Sequence, residues 1–116
     1  MKITIVGTGY VGISNAILLA QHNEVMALDI DVNRVNLINQ KQSPIIDVEV
    51  SDYLENKSLN LTATIDKQAA YEGADYIVVA TPTDYDPESN QFNTSSVESV
   101  IEDALAINSD AIIIIK

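Results

Sequence analysis

Three of the four glycines in this 116-residue chain lie within one six-residue run, Gly7-Thr8-Gly9-Tyr10-Val11-Gly12. The run follows an apolar segment, Lys2–Val6, and opens a segment with helical periodicity. In such a strand–turn–helix unit Gly7 permits the tight turn, Gly9 lets the backbone approach a pyrophosphate, and Gly12 lets helix and strand pack closely. The pattern therefore predicts that the free amides at the helix start bind the phosphates of a dinucleotide.

Short apolar runs alternate with segments of helical periodicity along the rest of the chain. The predicted strands are Lys2–Val6, Glu24–Asp29, Leu59–Ile65, Tyr76–Ala80 and Ala111–Ile115. The predicted helices are Val11–Gln21, a second helix capped by Asp31, Val48–Asn56, Asp66–Tyr71, and a last helix that begins with a capping box of Ser95 and Glu98. A polar loop, Asp84–Asn93, separates the fourth strand from the last helix.

Apolar strands that alternate with helices are typical of a parallel sheet covered by helices on both faces. Because crossovers between parallel strands are right-handed, we predict an α/β fold over residues 1–116, with a Rossmann-like doubly wound sheet of strand order 3-2-1-4-5. Ligands bind such a sheet outside the carboxyl ends of its strands, beside the first strand. The residues after Val6, Asp29, Ala80 and Ile115 are therefore expected to face one crevice.

An acidic residue ends the second predicted strand. Asp29 lies 22 residues after Gly7, close to the roughly 20 residues at which a carboxylate accepts hydrogen bonds from the adenosine ribose. A 2′-phosphate would meet this carboxylate at close range, so we predict NAD rather than NADP as the cofactor. Arg34 offers one compensating charge, but one arginine beside Asp29 does not favour NADP, and a surface position on the second helix also explains it.

Composition and charge exclude several classes of protein. Six basic and seventeen acidic residues give a net charge of −11, which repels phosphate backbones and anionic lipids, so no nucleic acid or membrane partner is expected. The longest apolar run, Ala111–Ile115, is far shorter than the roughly 20 residues of a membrane-spanning helix. The first residues have no signal-peptide pattern, so a cytoplasmic location is expected. The chain has no cysteine and hence no thiol nucleophile.

Two sets of polar side chains are not expected to carry chemistry. His22, the only histidine, comes at the end of the first predicted helix, where a cation suits the helix dipole at the surface. Asp84, Asp86 and Glu88 share a loop with Pro87 and lack a regular ligand spacing, so we interpret this segment as solvated. The sequence therefore predicts no metal site and no catalytic residue.

Four segments together resemble the UDP-glucose 6-dehydrogenase group of the UDP-glucose/GDP-mannose dehydrogenase family. They are the Gly-Tyr-Val-Gly of residues 9–12, Asp29-Ile30-Asp31 with Arg34, Ser43-Pro44-Ile45, and Val79-Ala80-Thr81-Pro82-Thr83. The resemblance covers the whole chain. It implies oxidation of the C6 alcohol of UDP-glucose to the carboxylate of UDP-glucuronate, with two NAD and a covalent thiohemiacetal on a cysteine, in nucleotide-sugar metabolism for polysaccharide biosynthesis.

The resemblance also implies roles for individual residues. Tyr10 and Val11 are implied to contact the dinucleotide through the glycine turn, and Asp29 to hold the adenosine ribose. Arg34 stands where the family has a basic residue near the cofactor. The turn Thr81-Pro82-Thr83 is implied to lie at the cofactor, with Thr83 lining the nicotinamide side.

The family pattern extends beyond Lys116. There it continues into Ser-Thr and a proline-glycine turn, followed by the catalytic glutamate, lysine, asparagine, cysteine and aspartate. The resemblance therefore implies a truncated N-terminal NAD-binding domain, inactive alone, without the central helix and the domain that binds the nucleotide-sugar substrate. The full-length enzyme is implied to be a homodimer. GDP-mannose and UDP-N-acetylmannosamine remain alternative substrates.

Two other classes share parts of this pattern. Nucleotide-sensing Rossmann modules of potassium transport systems also begin with Met-Lys-Ile, a glycine turn and an Asp-x-Asp after the second strand. They do not usually follow the fourth strand with Thr-Pro-Thr and a long polar loop. Another NAD-dependent dehydrogenase, of the 6-phosphogluconate or hydroxyacyl-CoA type, would share the fold, but Gly-Tyr-Val-Gly and Ser-Pro-Ile argue against it.

Overall fold

The computed structural model describes residues 1–45, 47–57, 59–80, 84–86, 91–93 and 95–115. The strands are β1 (Lys2–Val6), β2 (Glu24–Leu28), β3 (Leu61–Thr64), β4 (Tyr76–Val79), β5 (Asp84–Asp86), β6 (Gln91–Asn93) and β7 (Ile112–Ile115). The helices are α1 (Tyr10–Ala20), α2 (Val32–Asn39), α3 (Val48–Asn56), α4 (Lys67–Tyr71) and α5 (Ser95–Ile107). No helix in these ranges is long and apolar enough to cross a membrane.

Five strands form one parallel sheet in the order β3-β2-β1-β4-β7. Because β7 is the fifth strand of this sheet along the chain, the predicted doubly wound order 3-2-1-4-5 is confirmed. Strand β1 lies at the centre, and its last residue, Val6, is in register with Leu28 of β2 and Val79 of β4. The carboxyl ends of these three strands therefore meet at one edge of the sheet, which is where the crevice was expected.

Side chains on the two faces of the sheet pack against different helices. One face, with Val6, Leu28 and Val79, packs against α4 and α5 around the buried Tyr71. The other face packs against α1, α2 and α3. Thr4 is a buried polar residue of β1, and its hydroxyl is satisfied because it donates a hydrogen bond to the Ala70 carbonyl. Burial, with the charge of Asp103, raises the pKa of Tyr71 to about 12.

Aspartates cap three of the helices. The side chain of Asp31 accepts from the amides of Asn33 and Arg34 at the start of α2, as predicted. Asp47 does the same for α3, and Asp66 for α4. Each carboxylate satisfies an amide that has no partner within the helix and lies at the positive end of the helix dipole. Part of the acidic excess of this chain therefore has a local structural role.

The interpretation of Asp84–Asn93 as a polar loop is wrong at both ends of the segment. Strands β5 and β6 form an antiparallel pair in which Tyr85 lies opposite Phe92. Each strand has only three residues, too few for periodicity to distinguish it from a loop, although an aromatic residue at the centre of each favours a strand. The next helix begins at Ser95, so Ser95 is its first residue and not its N-cap. The N-cap position, residue 94, and the side chain of Ser95, which the predicted capping box requires, lie outside what the structure describes.

A side chain of α2 forms hydrogen bonds with an edge strand of the parallel sheet. Asn39 donates from Nδ2 to the Ala63 carbonyl at 3.0 Å and accepts from the Ala63 amide at Oδ1 at 2.8 Å. Both backbone groups of Ala63, on the edge strand β3, are thus satisfied by one amide side chain. Free groups on an edge strand are a template for pairing with another chain, and Asn39 removes one such pair of groups.

We expect Asn39→Ala to lower the free energy of unfolding by about 1–2 kcal/mol, because the amide and carbonyl of Ala63 lose their partners. Asn36→Ala, at an exposed position of the same helix, is the matched control and is expected to change it by no more than about 0.5 kcal/mol. Urea denaturation followed by circular dichroism measures both values. Equal effects of the two substitutions would contradict a role for Asn39 at the sheet edge.

Candidate dinucleotide-binding site

The glycine turn leaves β1 and passes over the end of β2. The amide of Gly7 donates to the Leu28 carbonyl at 2.8 Å, and Gly7 has a φ of 95°, a conformation that favours glycine. A Cβ on Gly12 would lie 1.8 Å from the Gly7 carbonyl oxygen, so only glycine lets α1 pack this closely on the turn. This agrees with the packing role predicted for Gly12. Gly9 differs, because a Cβ there would meet no atom within 4 Å.

The start of α1 has no side-chain cap. Gly9 is its N-cap residue and offers no side chain, and the first turn of the helix contains no acidic residue. The first hydrogen bond of the helix runs from the Ile13 amide to the Gly9 carbonyl at 2.9 Å, so the amides before it have no acceptor within α1. Whereas α2, α3 and α4 carry an aspartate at this position, the first amides of α1 have no acceptor among the residues that the structure describes. These amides and the positive end of the helix dipole suit an anionic ligand.

Asp29 is attached to the glycine turn by two hydrogen bonds. Its Oδ2 accepts from the amide of Thr8 at 2.9 Å and from the Thr8 hydroxyl at 2.6 Å. Its Oδ1 accepts from the amide of Asp31 at 2.8 Å. The Asp29 side chain is 9% exposed, and Thr8 is 1% exposed. The carboxylate that follows β2 is therefore held in one orientation at the rim of the crevice.

These contacts also determine the charge of Asp29. Burial acts to raise the pKa of its carboxyl group, but hydrogen bonds from the Thr8 hydroxyl and from the amides of Asp31 and Thr8, together with the positive charge of Arg34, outweigh burial. The pKa of Asp29 therefore lies below its ordinary value of 3.8. Asp29 is ionised at neutral pH and accepts hydrogen bonds without donating any.

Arg34 lies between two aspartates at the start of α2. Its Nη1 is 3.9 Å from Oδ2 of Asp29, and its Nε is 3.8 Å from Oδ2 of Asp31. The Arg34 side chain is 41% exposed, and at these distances the contacts are ion pairs without short hydrogen bonds. Arg34 thus adjoins the crevice, where it moderates the negative charge beside Asp29.

An exposed apolar residue follows Asp29. Ile30 is 93% exposed, and Val11 and Val32 are also exposed near the start of α1 and of α2. Ile30 directly follows Asp29, and an exposed apolar side chain at this place would suit the face of a purine ring. Sequence patterns indicated neither such a role for Ile30 nor the contacts of Asp29 with Thr8. The available signal for Ile30 was an apolar residue between two aspartates, beyond the end of a buried strand.

The structure brings together five of the residues predicted for the site. Gly7, Gly9, Gly12, Asp29 and Arg34 surround the carboxyl ends of β1 and β2. The backbones of Tyr10 and Val11 form the first turn of α1 beside them.

Three predicted cofactor positions are not described by the structure, and His22 lies away from the glycine turn. Thr81, Pro82 and Thr83 lie outside the described residues, but the chain enters that segment beside the turn, since the Ala80 amide donates to the Val6 carbonyl at 2.9 Å. His22 is exposed beyond the far end of α1. Among the residues that the structure describes, no cluster of His, Cys, Asp or Glu side chains is able to hold a metal ion.

The sheet order, the close Gly7–Gly12 contact and the ionised Asp29 define a dinucleotide-binding domain of the doubly wound class. These residues fit NAD: bare helix amides suit the pyrophosphate, the space around Gly9 admits it, and Asp29 suits a ribose with free hydroxyl groups. A 2′-phosphate would meet the negative charge of Asp29, which is the electrostatic reason for NAD over NADP.

Comparisons with known proteins agree with this class. Residues 1–116 match the NAD binding domain of the UDP-glucose/GDP-mannose dehydrogenase family. The chain is 47% identical over its whole length to a UDP-glucose 6-dehydrogenase of Streptococcus pneumoniae and 48% identical to one of Campylobacter jejuni, covering 29% and 30% of those proteins. It covers 28% of the crystallised GDP-mannose dehydrogenase of Pseudomonas aeruginosa, with a TM-score of 0.88 and 25% identity over 99% of the chain.

The chain therefore belongs to the UDP-glucose/GDP-mannose dehydrogenase family, as its NAD-binding domain. It spans about three tenths of the length of the curated relatives it matches. The family assignment agrees with the resemblance in the sequence and favours a dehydrogenase domain over the regulatory module of a potassium transport system.

We expect Gly12→Ala to be much more destabilising than Gly9→Ala. Gly12→Ala would force α1 away from the Gly7 carbonyl, at a cost of about 3 kcal/mol or more. Gly9 has a φ of −70° and open space around it, so Gly9→Ala meets no clash and is expected to lower stability by less than about 1 kcal/mol, because alanine is a poorer N-cap residue than glycine. Thermal unfolding of the two variants measures the difference. A Gly12→Ala variant as stable as Gly9→Ala would contradict the close helix–turn contact.

Proposed function

We propose that this chain is the N-terminal NAD-binding domain of a UDP-glucose 6-dehydrogenase, which oxidises UDP-glucose to UDP-glucuronate with two NAD in a cytoplasmic pathway of polysaccharide biosynthesis. The observation that carries the proposal is identity of 47–48% to two UDP-glucose 6-dehydrogenases over the whole chain. The geometry of the glycine turn and of Asp29 supports the NAD-binding part of it. Recognition of the nucleotide sugar and the catalytic residues would belong to the parts of the enzyme that this chain does not span.

In this proposal each part of the crevice has one task. The amides at the start of α1 and the glycines Gly7, Gly9 and Gly12 bind the pyrophosphate, with Tyr10 and Val11 beside it. Asp29 accepts hydrogen bonds from the adenosine ribose, Arg34 lies near the same end of the cofactor, and Ile30 contacts the adenine.

The Thr81-Pro82-Thr83 turn follows β4 and would lie at the cofactor, with Thr83 on the nicotinamide side. Bound NAD supplies the hydride acceptor for the oxidation of the sugar. The residues of this chain hold that acceptor in place, and they contribute no proton transfer or nucleophile of their own.

Calorimetric titration with NAD and NADP tests the cofactor site. We expect the chain to bind NAD more tightly than NADP, and Asp29→Ala to raise the NAD dissociation constant about tenfold, since a hydrogen bond to a charged group is lost. Gly9→Ala is expected to weaken NAD binding with only a small loss of stability, because its Cβ occupies the space through which the pyrophosphate approaches. His22→Ala, far from the crevice, is the control and should bind NAD like the unmodified chain. Equal affinities for NAD and NADP would contradict the role of Asp29.

We also expect the purified 116-residue chain to produce no NADH from UDP-glucose and NAD, measured as absorbance at 340 nm. The physical reason is that the chain has no cysteine, whereas the proposed reaction requires a thiol nucleophile. Turnover by this chain alone would contradict the proposal that it is one part of a larger catalytic unit.

The proposal further includes a homodimeric full-length enzyme, which sedimentation of that enzyme tests.

A further inference from the structure

We propose that Thr8 is a positioning residue for the cofactor: its amide and hydroxyl orient Asp29 so that the remaining acceptor site of the carboxylate meets the ribose. This inference rests on the role of Asp29 under the proposed function and adds a determinant of the preference for NAD over NADP. It concerns the residue between the first two glycines, for which the glycine pattern itself specifies no side chain.

Within the part of the chain that the structure describes, the hydrogen bonds of Asp29 leave a single acceptor site. An ionised carboxylate has about four lone-pair sites, two on each oxygen. The Thr8 amide and hydroxyl occupy Oδ2, at 2.9 and 2.6 Å, and the Asp31 amide occupies one site of Oδ1 at 2.8 Å. One site of Oδ1 remains, so a ribose hydroxyl that donates to Asp29 must do so there. The orientation of the Asp29 carboxylate therefore determines whether a ribose hydroxyl can donate a hydrogen bond to it.

Thr8 is the contact that fixes this orientation. The Thr8 side chain is buried, so water does not compete for the hydrogen bond between its hydroxyl and Asp29. The two residues are 21 positions apart in the sequence. Arg34 approaches the same oxygen, with Nη1 3.9 Å from Oδ2. Without the Thr8 hydroxyl, Oδ2 would keep the Thr8 amide but regain a free acceptor site. A ribose hydroxyl would then no longer be directed to Oδ1, and Arg34 would compete with it for Oδ2.

Thr8→Val tests this role because valine has nearly the shape of threonine and keeps the backbone amide. We expect Thr8→Val to raise the NAD dissociation constant about threefold, less than the roughly tenfold of Asp29→Ala, because the carboxylate keeps its two amide contacts. NADP gains nothing from a well-oriented Asp29, so its dissociation constant should change less. The ratio of the NADP dissociation constant to the NAD dissociation constant should therefore fall. Thr8→Ser retains the hydroxyl and should restore both the NAD affinity and the ratio.

A matched control separates this effect from lost stability. Thr4 is a second buried threonine whose hydroxyl donates to a backbone carbonyl, that of Ala70. Thr4→Val should lower the melting temperature and leave the affinities for NAD and NADP unchanged. All titrations are made at a temperature at which circular dichroism shows each variant folded. If Thr8→Val does not fold, Thr8→Ala provides the same comparison with Thr8→Ser.

The outcomes distinguish failure of the proposed function from failure of the positioning role of Thr8. If the unmodified chain binds no NAD, the proposed function fails. If it binds NAD, and a folded Thr8→Val or Thr8→Ala variant binds NAD and NADP with the same ratio, only the positioning role fails. Failure of Thr8→Ser to restore the ratio would also overturn that role, because it would show that the hydroxyl is not the determining group.

Discussion

The close contact between Gly12 and the carbonyl of Gly7 is the constraint on which the rest of the site depends. Because a Cβ at residue 12 would stand 1.8 Å from that oxygen, α1 begins almost in contact with the end of β1. This brings the unpaired amides of the helix to the edge of the sheet at which β1, β2 and β4 end together. A longer distance between helix and strand would place the same amides away from the carboxylate of Asp29.

The distribution of charge follows from this arrangement. A chain with a net charge of −11 repels an anionic dinucleotide at long range, so attraction has to come from groups close to the ligand. Aspartates cap α2, α3 and α4, whereas α1 keeps its positive dipole end uncompensated. Asp29, although charged and close to the site, has three hydrogen-bond donors and an arginine around it. Three of the acidic residues thus cap other helices, whereas the first turn of α1 carries no acidic residue.

Sequence patterns predicted the sheet and the position of Asp29 beside the glycine turn, because both depend on short-range regularities. Apolar runs identified the five parallel strands, and glycine spacing with a carboxylate at the end of β2 identified the crevice. The β5–β6 pair escaped prediction because three-residue strands carry no usable period. Thr8 escaped it for another reason: its contact with Asp29 joins residues 21 positions apart, and only the parallel pairing of β1 with β2 brings them together. The exposure of Ile30 likewise depends on where β2 ends.

Because Asn39 pairs with Ala63, the two edges of the parallel sheet differ in their ability to accept a further strand. On the β3 side, a side-chain amide occupies the hydrogen-bonding positions that a sixth strand would use. On the opposite side, the amide of Ile112 in β7 donates to the Asp75 carbonyl beside β4. Backbone groups alternate in direction along a strand, so the amides and carbonyls of Ile113 and Ile115 face away from β4. A strand added to this sheet would therefore pair more readily with β7 than with β3.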